Sequence, residues 1–113
     1  MEESILTSIK KLLGLTKECT SFDTDIIMHI NTVFTILNQL GVGPADGFSI
    51  EDDSTKWDEY IPDDSIKKFN DVKTYVYLKV KLIFDPPSSS TVIESMKQLI
   101  NELEWRLTTQ ADS

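Results

Sequence analysis

The chain has 113 residues, with 19 acidic and 11 basic side chains and a net charge of −8. That length holds one domain with one modest core. The charge excludes a sequence-independent grip on DNA or RNA, which needs clustered Lys and Arg to displace phosphate counterions, and it disfavours an anionic membrane surface. The first apolar segment runs from Ser4 to Leu13. Ile5, Leu6, Ile9, Leu12 and Leu13 share one helical face, Lys10 and Lys11 suit the negative end of the helix dipole, and Gly14 stops it. A helix over 5–13 is too short to stand alone, so it is expected to dock on the domain or on a partner.

The second segment, FDTDIIMHINTVFTILNQLG at 22–41, carries the clearest helical stripe. Ile26, Ile30, Val33, Leu37 and Leu40 recur at three- and four-residue steps, and Ile27 and Phe34 widen the stripe. Asp23 or Thr24 is the expected N-cap, Asp25 falls in the first turn, and Gly41 is placed to take the left-handed conformation that closes a helix. A long loop over 42–63 follows, rich in Gly, Pro and acids. Phe48, Ile50, Trp57, Tyr60 and Ile61 are the residues expected to pin it to the core, with Phe48-Ser49-Ile50 as a short extended piece.

Between Asp64 and Phe84 the pattern fits two structures. Ile66, Phe69, Val72, Val76, Val80 and Ile83 form a helical stripe, while Val76, Leu78, Val80 and Leu82 also alternate as in a strand. The stripe outlasts a usual strand, and Pro62 and Pro86 bracket it, so a helix is expected. After Asp85-Pro86-Pro87, Thr91 and Glu94 match a capping box. Ile93, Met96, Ile100, Leu103 and Leu107 then form the last buried stripe, and 108–113 reads as a frayed polar tail. The whole is an all-α single domain over 1–113, a bundle of about four helices. Its core is drawn from Ile26, Ile30, Val33, Leu37, Val76, Val80, Met96, Ile100 and Leu103.

Residues able to do chemistry are few. His29 is the single histidine, at the rim of the second stripe, with no positioned nucleophile or metal set implied. Cys19 is the single cysteine, which excludes an internal disulfide and a cysteine-rich zinc site. GVGP lacks the lysine and helix of a phosphate loop, and Asp52-Asp53-Ser54 lacks the alternate ligands of a calcium loop. No enzyme activity, cofactor or metal is expected. The N-terminus opens with acids and spaces its apolar residues, unlike a signal peptide, and YVYLKVKLIF is too short to span a bilayer, so a cytosolic chain without membrane association is expected. Trp57 reads as a core plug inside the loop. Trp105 falls on the polar side of the last helix, in line with Glu94, Gln98, Asn101 and Glu102. It is either a partner anchor or a cover for the edge of the loop.

The order of helix, helix, long acidic loop with a Trp, helix, Asp-Pro-Pro and helix resembles the bacteriophage head–tail connector family, the head-completion adaptors of phages and prophages of Gram-positive bacteria. The resemblance rests on DIIMHINTVFTILNQLGVGP, GFSIEDDSTKWDEYIPD and VKTYVYLKVKLIFDPPSSSTVIESMKQLINELEWRL, nearly the whole chain. It implies a structural subunit that forms a homo-oligomeric ring, a dodecamer, beneath the portal protein. Such a ring receives the next head-completion or tail component and prolongs a channel through which DNA passes without specific binding. The implied location is the virion, at the head–tail interface, after assembly in the host cytoplasm. On this reading Glu51, Asp52, Asp53, Asp58 and Glu59 either line the channel or a subunit interface or face outer solvent as a solvated loop, and Trp105, with Glu102 and Gln98, contacts the portal. The alternative, on charge alone, is an acidic DNA mimic or regulatory module that occupies a DNA-binding partner.

Overall fold

A computed structural model describes residues 4–16, 18–44, 46–60 and 66–112, with the side chains of 66–69 and 110–112 outside the description. Among the described residues five helices follow one another: α1 (Ile5–Leu12), α2 (Asp23–Gln39), α3 (Trp57–Tyr60), α4 (Ile66–Phe84) and α5 (Ser90–Asp112). No strand appears among the described residues; one isolated bridge joins Ser4 to Lys56. The stretch before Phe84 that could have paired as a strand is helical, as its length argued.

Helix ends follow the local chemistry. Ser4 caps α1, its hydroxyl accepting from the Thr7 N–H at 3.0 Å. Both α1 and α2 close on a left-handed glycine, Gly14 at φ 85° and Gly41 at φ 87°. In each case two backbone bonds fold back: Gly14 N–H to Lys11 O and Leu15 N–H to Lys10 O, then Gly41 N–H to Asn38 O and Val42 N–H to Leu37 O. These satisfy the orphan carbonyls of the last turn and carry Leu15 and Val42 inward onto the core.

Two expected caps are displaced. Helix α2 starts at Asp23 behind Phe22, with no side-chain cap. The Asp23 carboxylate instead lies 2.8 Å from the Lys10 ammonium, an ion pair rather than a well-aligned hydrogen bond. For α5, Ser89 in place of Thr91 supplies the oxygen, accepting from the Val92 N–H at 3.3 Å. The serine run lets the helix start two residues earlier than the capping-box pattern implied.

Helix α4 is the centre. Both α2 and α5 pack along it and scarcely touch each other, while α1 lies across α2 and α4. Val72, Val76 and Val80 are fully buried, as are Ile26, Ile30, Val33, Phe34 and Leu37 of α2 and Ile5, Leu6 and Ile9 of α1. Ile100, Leu103 and Leu107 seat α5. Several stripe residues depart from expectation, among them Ile93, Leu13 and Leu40, which are only half-buried. Ile83 is 51 % exposed and Leu12 is also exposed, because each sits in the last turn of its helix, beyond the neighbour that would cover it. Met96 is only half-buried, since it lies near the start of α5.

Candidate interaction surfaces

The loop between α2 and α4 is anchored before it can present anything. Asn31 of α2 pairs with both backbone groups of Ile50: its carboxamide oxygen accepts from the Ile50 N–H at 2.8 Å and its NH2 donates to the Ile50 carbonyl at 3.0 Å. Phe48-Ser49-Ile50 is therefore held by a side chain and not by a strand. Phe48 and Tyr60 pack on Phe34, with ring centroids 5.4 and 4.6 Å away, and Trp57 stands edge-on to it at 6.5 Å. Trp57 is buried, and its indole N–H donates to the Ser8 hydroxyl at 2.8 Å, tying the loop to α1. The Ile5 N–H donates to the Thr55 carbonyl at 2.9 Å. Phe48, Ile50, Trp57 and Tyr60 thus act as pins; Ile61 lies outside the described residues.

The five acidic side chains Glu51, Asp52, Asp53, Asp58 and Glu59 are all exposed, yet two have structural roles. Asp52 accepts from the Ser54 hydroxyl and from the Ser54 N–H at 2.9 Å. These bonds, the hydroxyl first, hold its carboxyl below the ordinary aspartate range. Glu59 reaches back to the Lys56 N–H at 2.9 Å, closing the start of α3. Glu51, Asp53 and Asp58 remain as outward charge.

On α5, Trp105 is 69 % exposed, with Gln98 and Glu102 exposed on the same helix. Glu102 is paired with Arg106 at 2.8 Å, and Arg106 also lies 3.6 Å from Asp71 of α4. Tyr75 of α4 donates to Glu104 at 2.7 Å. Burial, then that bond and the Glu104 charge, push the Tyr75 phenol far above its ordinary range, and burial does the same to Tyr60. Sequence reading missed this polar clamp, and the Lys10–Asp23 pair, because each joins residues remote in sequence.

His29 is half-buried on α2, at the rim the stripe implied. Among the described residues no group of three or more His, Cys, Asp or Glu is placed to hold a metal ion, and no helix is long and apolar enough to cross a membrane. What the surface offers is exposed apolar side chains on a helical frame and one acidic loop.

The model of the phage connector protein family matches residues 5–113. No curated protein and no solved structure matches the chain. With the match spanning all five helices, the chain belongs to the phage connector protein family, a family of structural proteins of the phage particle.

Proposed function

We propose that this chain is a head–tail connector subunit that assembles into a ring beneath the portal and extends the DNA channel toward the tail. The family match over residues 5–113 carries the reading. Its physical support is a frame with several unpartnered helix faces and a net charge of −8, which repels phosphate and leaves DNA free to slide. The ring is a dodecamer by resemblance to the family, matched to the portal above it. Glu51, Asp53 and Asp58 face the channel or the adjoining subunit. Trp105, flanked by Gln98 and Glu102, meets the portal, where a desolvated indole contributes most to contact energy.

Mixing purified subunit with portal and imaging the product tests this reading. A collar added to the portal is the expected result, and bare portal would overturn it. Trp105→Ala should weaken docking while the free subunit keeps its thermal midpoint; equal loss of folding would move Trp105 into the core. Replacing Glu51, Asp52, Asp53, Asp58 and Glu59 by their amides removes the charge and leaves positions 52 and 59 one acceptor oxygen each for the bonds that Asp52 and Glu59 now accept. Folding should persist and ring closure or DNA passage should suffer; unchanged assembly and infectivity would remove the loop from the mechanism.

A further inference from the structure

Charge is unevenly laid out on this molecule. From Ile26 to Ala45 there is no Asp, Glu, Lys or Arg, in a chain where 27 % of residues are charged. Helix α2 fills most of that stretch. Its outward line is Met28, Thr32, Thr35 and Gln39, all exposed, at the four-three-four spacing of a helix-packing seam. Met28 is 58 % exposed. The Thr32 hydroxyl donates to the Met28 carbonyl at 3.0 Å and the Thr35 hydroxyl to the Asn31 carbonyl at 3.1 Å. With their hydroxyls already bonded within the helix, covering the two threonines requires little desolvation.

A second neutral line runs along α5. Val92, Ser95 and Leu99 are exposed at three-four spacing, Val92 at 46 % and Leu99 at 38 %. The seam ends there: the next positions of that line are Glu102 and Arg106, an ion pair at 2.8 Å whose guanidinium also faces Asp71. Helices α2 and α5 each pack on α4 and scarcely touch each other, so the two seams lie on helices that do not adjoin.

Resting on the ring reading above, we propose that the Met28–Thr32–Thr35–Gln39 seam of α2 receives the Val92–Ser95–Leu99 seam of α5 from the next copy of this chain. The occupant is a second copy for an electrostatic reason. Copies carrying −8 each repel, and repulsion is least where both contacting surfaces are uncharged. A contact between two different surfaces is heterologous and repeats from copy to copy until a ring closes. Trp105, on another line of α5, is left for the portal.

The test adds charge to the seam. Thr32→Glu with Thr35→Glu, and separately Leu99→Glu, should leave circular dichroism and thermal midpoint unchanged. Each should raise the concentration for half-assembly by roughly ten-fold or more. Thr16→Glu, on an exposed loop residue, should not. In a Cys19→Ser background, Met28→Cys combined with Leu99→Cys should give a ladder of oxidised multimers, and either cysteine alone should give none. Glutamate variants that form rings as readily as the wild-type chain, or a single-cysteine chain that dimerises, would overturn the assignment of these faces and leave the ring standing. A wild-type chain that forms no multimer, alone or with portal, would overturn the ring reading and this contact with it.

Discussion

Asn31 does what a neighbouring strand would do for one residue. Its carboxamide supplies an acceptor and a donor to Ile50 and so fixes where the long loop begins to cross the core. Asn31→Ala would leave both Ile50 groups without their partner. It is expected to cost about 1–3 kcal/mol, read from the urea midpoint. Asn31→Asp should recover only part of that loss, since a carboxylate still accepts from the N–H but opposes the carbonyl. Asp52 works at the same scale. Its carboxyl is held below the ordinary aspartate range, so the turn it makes with Ser54 is intact above that range and lost as pH falls through the lowered value. An NMR titration should show Asp52 protonating at lower pH than an ordinary aspartate, and Ser54→Ala should move it back up.

Each outer helix is locked to the frame by a polar contact laid over apolar packing. Helix α1, too short to persist alone, buries Ile5, Leu6 and Ile9 and adds the Lys10–Asp23 pair and the Ser8–Trp57 bond. Helix α5 buries Ile100, Leu103 and Leu107 and adds Tyr75–Glu104 and Asp71–Arg106. Asp71 is buried, and its second carboxylate oxygen has no hydrogen-bond partner among the described residues, so Arg106 is its main compensation. Arg106→Ala is therefore expected to destabilise by about 1–3 kcal/mol. Glu102→Ala, which removes only the exposed i,i+4 partner, should change stability by less than about 0.5 kcal/mol. Chemical denaturation of the two variants side by side would show it; equal effects would mean that Asp71 is satisfied without Arg106.

Across the whole molecule, stability and assembly draw on different residues. Val33 and Ile100 lie in the core, so Val33→Ala and Ile100→Ala should each lower unfolding free energy by about 1–4 kcal/mol. Trp105, exposed on α5, should show the reverse pattern, with an intact fold and lost docking. Comparing thermal midpoints with portal binding for the three variants separates the two roles. A connector subunit needs this division, because the surfaces that meet partners must stay exposed in the free chain without being needed to fold it.

The helices could be read from the chain because their information is local: three- and four-residue apolar spacing, terminal glycines, and prolines beyond the ends. Those signals located α1, α2, α4 and α5, while Val42, Tyr75 and Leu78, buried in the fold, lay outside the stripes they gave; the residue order alone pointed to the connector family. Contacts between remote positions carry no such periodic trace. Only the fold brought Trp57 to Ser8, Lys10 to Asp23 and Asn31 to Ile50, and set α4 between α2 and α5. For the same reason the exposure of Trp105, and of Met28, Val92 and Leu99 on helices that do not adjoin, was decided by packing, which selects the side of each helix left without a neighbour.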